Sequence, residues 1–136
     1  MSIKVELQEL AETLDRYRFA YLLTIGDGAR AHVVAVRTTL TNDALCITDH
    51  GRTTRANIAA HPPVTLVWPP ADPSDYSLIV DGVGSMRGDE LAITPERAVL
   101  HRPAPPQSTP TGDGCESDCI ELPIATDTAA SVGRQG

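Results

Sequence analysis

The sequence predicts a mainly β domain of the α+β class: a small, six-stranded antiparallel barrel with an N-terminal helix and a short helix after the third strand. Two observations carry this. Short apolar runs recur between turn signals such as Gly26-Asp27-Gly28, Thr41-Asn42-Asp43 and Gly88-Asp89. Two of these runs, 19–25 and 32–36, are apolar on both faces, so an open sheet would leave one face wet. Closure into a barrel removes that exposure, and burial of the outer face by a second subunit is the alternative.

The elements follow in order. Ile3, Leu7, Leu10 and Leu14 recur at helical spacing, with Glu6, Glu9, Glu12 and Asp15 mostly opposite. Residues 3–15 therefore read as an amphipathic helix, with Ser2 as its N-cap. The run 19–25 ends in Asp-Gly, a strong signal for a tight hairpin because such turns need positive φ. Arg30 to Leu40, rich in β-branched residues, is the returning strand, and a turn at 41–43 leads into Leu45-Cys46-Ile47-Thr48, completing a three-stranded meander. Ala56, Ile58, Ala59 and Ala60 favour a short helix, capped by Thr53 or Thr54 and stopped by His61-Pro62-Pro63. Val64 to Trp68 and Ser77 to Met86 are further strands. Leu91 to Thr94 is the sixth, with Pro95 interrupting its ladder and 98–101 continuing beyond.

The chain has 136 residues and 11 Lys+Arg against 18 Asp+Glu, a formal net charge of −7. That length suits one core. The acidic balance disfavours nucleic acid and anionic lipid as partners, since both are bound through basic patches. No apolar run is long enough to span a bilayer. Three cysteines, an odd number, do not describe a disulfide scaffold, and a cytoplasmic location fits them. Composition shifts at Pro103, where prolines, Ser, Thr and acidic residues take over. The reading is a domain over 1–102 and a Pro-rich acidic tail over 103–136, with an edge strand at 119–125. Cys115 and Cys119 are half of a metal site at most, so no metal is assigned.

Chemistry concentrates in Thr48-Asp49-His50-Gly51-Arg52-Thr53-Thr54-Arg55-Ala56-Asn57, which joins a strand end to a helix start. A helix N-terminus presents unpaired N–H groups and about half a positive charge, so it attracts anions. Two hydroxyls and two guanidiniums supplement it here. No Ser-His-Asp order or paired carboxylate supports hydrolysis.

The run Gly51-Arg52-Thr53-Thr54-Arg55-Ala56-Asn57-Ile58, followed by His61-Pro62-Pro63-Val64, resembles the pyridoxamine 5′-phosphate oxidase-like superfamily of flavin-binding split barrels. That family commonly shows Ser-Lys-x-x-Asn-Leu, a short helix, then an x-Pro-x-Val strand. Val80-Asp81-Gly82-Val83-Gly84 resembles its glycine-containing strand, and the likeness covers about residues 5–101. It implies a homodimer of split barrels with FMN, or the related deazaflavin coenzyme, at the subunit interface. Thr53 takes the serine position, Thr54 the lysine position and Asn57 the asparagine. The resemblance implies that Arg52, Thr53, Thr54 and Arg55 hold the phosphate while Asn57 braces the loop. Thr48 and His50 then lie near the ring or ribityl chain, and Arg37 contacts phosphate or ring. Two departures matter: Thr54 carries no charge where the family has lysine, and Leu100-His101-Arg102-Pro103 does not match the family's substrate Arg-x-His. The implied function is a flavin-dependent oxidoreductase acting on a small molecule other than pyridoxamine phosphate, with no catalytic side chain assigned. The alternative is a non-catalytic carrier of flavin or haem.

Overall fold

The computed structural model describes residues 2–104 and the strand at 117–122. Its elements are β1 (Ser2–Lys4), α1 (Leu10–Leu14), β2 (Ala20–Ile25), β3 (Ala31–Val36), β4 (Thr39–Leu40), β5 (Leu45–Ile47), α2 (Arg52–Ala60), β6 (Pro63–Trp68), β7 (Ser77–Arg87), β8 (Glu90–Pro103) and β9 (Ser117–Leu122). The strands form one sheet ordered β1-β9-β8-β7-β6-β2-β3, with β5 pairing both β4 and β8. All pairings are antiparallel except β1 with β9. The expected barrel of antiparallel strands is therefore present. β2, β3, β5, β6, β7 and β8 are the six strands expected; β9 overlaps the strand expected at 119–125 but lies between β1 and β8 and not at the edge, and β1 and β4 are additional.

Alternation builds the core. Ala20, Leu22 and Thr24 of β2 face inward beside Val64, Leu66 and Trp68 of β6 and Leu78 and Val80 of β7, all buried. β5 is buried throughout, and the same burial pushes the Cys46 thiol up from its ordinary pKa. The outward residues of the β2–β3 hairpin stay exposed, with Tyr21 at 41%, Ile25 at 36% and Val33 at 52%. Closure alone does not cover that apolar face.

Four local expectations change. The helix read over 3–15 is shorter. Ser2 is not a cap but a strand residue, because Ser2-Ile3-Lys4 pairs with Val99–His101 of β8, and sheet pairing there overrides helical spacing. A single 3₁₀ turn over Leu7–Glu9 and then α1 follow, stitched by Glu6 N–H donating to Glu9 Oε1 at 3.3 Å. The Arg30–Leu40 strand divides at Arg37-Thr38, so β3 stays with β2 while β4 crosses to β5. The expected meander is thus two separate hairpins, since β5 pairs with β8 and not β3. The first hairpin turn is wider than a two-residue Asp-Gly turn: Gly26 N–H bonds Arg30 O at 2.8 Å, and Gly28 and Ala29 both take positive φ. Pro95 does not break β8; it sits opposite Gly82 at a bulge, and pairing resumes with Arg97 opposite Asp81.

Candidate functional site

A cleft of about 600 Å³ opens where β2 begins and where β3 and β5 end. Arg18, Phe19, Ala35, Val36, Arg37, Thr48 and Asp49 line it. Ala35 and Val36 are the last residues of the β2–β3 ladder, and the other five flank the strand ends. Phe19 is held edge-on to Tyr21, with ring centroids 5.2 Å apart, which gives the cleft a fixed aromatic wall. Two guanidiniums outweigh the single Asp49 carboxylate, so the cleft carries net positive charge within an acidic protein. Anions are drawn to such a place.

From Asp49 the chain runs through His50 and Gly51 into α2. Three residues reach at most about 11 Å, so the first turn of α2 opens beside the cleft. Gly51 is the N-cap with an extended backbone and no side-chain cap, which leaves the first-turn N–H groups uncapped by any side chain. Threonine caps were expected; the helix instead begins at Arg52, so Thr53 and Thr54 lie inside it. Thr54, Asn57 and Ile58 form the buried stripe at i, i+3 and i+4 that seats α2 on the barrel. Arg52, Thr53 and Arg55 occupy the exposed side.

His50 is a brace. Its Nε2 lies 2.7 Å from the Asp89 carbonyl oxygen, which can only accept, so Nε2 carries the proton and ties the loop to the β7–β8 turn. Its buried Nδ1 has no partner among the described residues. Asn57 Nδ2 donates to Thr24 Oγ1 at 3.0 Å, with Thr24 fully buried, fastening α2 to β2. Thr54 is wholly buried, and its hydroxyl finds no partner among the described residues.

No protein-family model matches the sequence. Two mycobacterial relatives, uncharacterized proteins of Mycobacterium bovis and Mycobacterium tuberculosis, are each 43% identical over 137 residues, spanning 89% of this chain and 96% of the relative. Among solved structures, a putative pyridoxamine 5′-phosphate oxidase from Listeria innocua matches with a TM-score of 0.60 at 13% identity, over 68% of this chain and 95% of that one. An FAD-binding protein from Mycobacterium smegmatis matches at 0.55 and 15% identity, over 74% and 96%. An F420 reductase matches at 0.53 and 18% identity, over 62% and 90%. The chain belongs to the family of the two mycobacterial proteins and carries the pyridoxamine 5′-phosphate oxidase-like split-barrel fold.

Within this split barrel the residues singled out from sequence separate into three groups. Arg37 and Thr48 meet in the cleft. Arg52, Thr53 and Arg55 stand on the open side of α2, at the cleft's border and not among its lining residues. Thr54, Asn57 and His50 serve the scaffold in the structure: the first two face the barrel and the third holds a turn. Arg18 and Phe19 were missed as site residues, and Asp49, inside the segment singled out, was given no role. The signal for the first two was local, an Arg16-Tyr17-Arg18-Phe19 alternation of cations and aromatics just before a strand, but only the tertiary fold brings Arg18 to Arg37. Cys115 and the side chain of Cys119 lie outside the described residues. Among the described residues no helix is long and apolar enough to cross a membrane.

Proposed function

We propose that this split barrel is a flavin-dependent oxidoreductase that binds FMN, or the related deazaflavin coenzyme, in the cleft between β2, β3 and β5, and works on a small molecule in the cytoplasm. The carrying observation is the cleft's donor set: Arg18 and Arg37 in one cavity with the Thr48 hydroxyl, beside the side-chain-free N-terminus of α2. That set suits a dianionic phosphate, because each charge-assisted hydrogen bond contributes about 1.5–3 kcal/mol. Phe19 supplies an apolar wall for a ring system. Arg52 and Arg55 add positive potential at the border, while Thr53 and Thr48 offer hydroxyls. Thr54, buried, takes no part in holding phosphate, so the charge of the family's lysine is supplied instead by Arg18, just before β2, and Arg37, just after β3.

Flavin, when bound, supplies hydride transfer, and the protein's task is binding, orientation and exclusion of water. The solved neighbours described as an F420 reductase and an FAD-binding protein support a flavin-type ligand. The exposed apolar face of Tyr21, Ile25 and Val33 supports a homodimer with the cofactor close to the subunit boundary.

The test is direct. Purified protein is yellow or takes up FMN or deazaflavin with a rise in Tm, as a ligand of the native state requires. Arg18→Gln and Arg37→Gln each weaken that affinity at least tenfold, and Arg52→Ala with Arg55→Ala weakens it less. Bleaching by a reduced nicotinamide establishes turnover; binding without any turnover selects the carrier. A protein whose Tm neither coenzyme moves is not a flavoprotein.

A further inference from the structure

The cleft contains one ionic group that has no part in holding a phosphate. Asp49 lines it together with Arg18, Arg37 and Thr48. Among the described residues Asp49 makes no ion pair and no side-chain hydrogen bond, and neither guanidinium does. Three ionic side chains thus border one cavity without neutralising one another, so their partners are left to water or to a ligand. The backbone that carries Asp49 is held from both sides. Ile47, two residues earlier, is fully buried in β5, and His50, the next residue, is tied to the Asp89 carbonyl oxygen at 2.7 Å. Little backbone ordering therefore remains to be met when a ligand arrives.

A carboxylate only accepts hydrogen bonds. A phosphate dianion offers Asp49 chiefly acceptor oxygens and like charge, so it satisfies the guanidiniums and repels the acid. A ligand that suits the whole lining carries an anion for Arg18 and Arg37 and hydrogen-bond donors for Asp49. The cleft has room for both: its 600 Å³ or so equals about twenty waters, of which a phosphate fills a small part. The donors could be an ammonium or neutral hydroxyls, and charge decides between them. Arg18 and Arg37 in the cleft and Arg52 and Arg55 at its border give four positive charges, against three negative from Asp49 and a phosphate dianion. No further cation is called for. Thr48, beside Asp49 in the lining, both donates and accepts, as an alcohol does. Neighbouring hydroxyls on one chain can give protons to the two carboxylate oxygens and take one from Thr48.

We propose that Asp49 is a specificity-determining residue that takes the hydroxyls of a phosphorylated polyol chain, so that the cleft selects a polyol phosphate over bare phosphate. The ribityl phosphate of FMN is one such ligand. This role rests on Arg18 and Arg37 being the phosphate site, as read above, and not on the ring that the phosphate carries.

Inorganic phosphate, ribitol 5-phosphate, O-phosphoethanolamine and FMN are titrated calorimetrically into the natural protein and into Asp49→Ala. In the natural protein ribitol 5-phosphate is expected to bind at least tenfold tighter than inorganic phosphate, with O-phosphoethanolamine no tighter than inorganic phosphate. In Asp49→Ala we expect ribitol 5-phosphate to weaken at least tenfold while inorganic phosphate holds or tightens, because a like charge is gone. A general loss of structure would weaken both, and Asp49 is exposed, so the ligand-free Tm is expected to stay where it was. Ribitol 5-phosphate that binds no tighter than inorganic phosphate, or that is unaffected by Asp49→Ala, overturns the proposal. So does O-phosphoethanolamine binding tighter than ribitol 5-phosphate. FMN separates this role from the cofactor reading. A protein that takes ribitol 5-phosphate through Asp49 but leaves FMN unbound keeps the role and loses the flavin. One that takes FMN equally well with and without the Asp49 carboxylate keeps the flavin and loses the role.

Discussion

Thr54 and Asn57 show how one helical turn separates scaffold from surface. Both face the barrel, yet Asn57 finds Thr24 Oγ1 at 3.0 Å while the Thr54 hydroxyl is buried without a partner among the described residues. The two therefore respond oppositely to loss of polarity. Asn57→Ala leaves Thr24 unpaired and opens a gap, and is expected to destabilise the fold by about 1–3 kcal/mol. Thr54→Val keeps the shape, removes an unsatisfied group, and is expected to be neutral or stabilising by about 1 kcal/mol, with flavin affinity unchanged. Thermal and urea melts read both. A Thr54→Val protein that loses cofactor affinity would return that position to the phosphate. Sequence named both residues as site residues; which way each points depended on where α2 begins, and Gly51 moved that start two residues ahead of the expected threonines.

Among the elements, β7 and β8 form the longest pairing, and its irregularity is built from two residues that suit it. Pro95 has no N–H to give the ladder, and Gly82 stands opposite it. A Cβ at Gly82 would meet the Thr94 carbonyl oxygen and the Ile93 side chain. The first is backbone and cannot swing away. Gly82→Ala is expected to cost about 3 kcal/mol, at the upper end for an overpacked core, and to lower the urea midpoint without changing the m-value. A milder cost would show that the bulge has room to relax. Gly82 and Gly84 were legible as part of a glycine-containing strand, and Pro95 as a disturbance of the following one. That the disturbance is a bulge in a continuous strand was not legible, because it depends on which residue of β7 lies opposite.

At the scale of the whole molecule, one side of the β2–β3 hairpin closes the core and the other remains apolar and bare. Tyr21 pairs with Ala35, Leu23 with Val33 and Ile25 with Ala31, so the outward side chains form a continuous patch at the sheet's end. Such a patch marks an interaction surface, and a second copy of the chain is the occupant that the homodimer reading supplies. Val33→Lys places a charge in its middle, where burial would leave it unpaired. We expect sedimentation equilibrium to show a dimer for the natural sequence and association weakened at least a hundredfold for the variant, with the Tm of the monomer little changed. A natural sequence that sediments as a monomer would leave this face to another partner.

Local pattern alone determined that this chain is a small antiparallel barrel with a helix after its third main strand, because alternation, Asp-Gly turns and proline stops are read within a few residues. It also determined that positive side chains gather around residues 48–57. Only the tertiary structure decided that Ser2–Lys4 joins the sheet, that the cleft is made by Arg18 before β2 and Arg37 after β3, and that Thr54 is inside. The reason is physical: periodicity reports which residues share a face, whereas contact between faces is set by strand partners far apart in the chain, where packing overrides local preference.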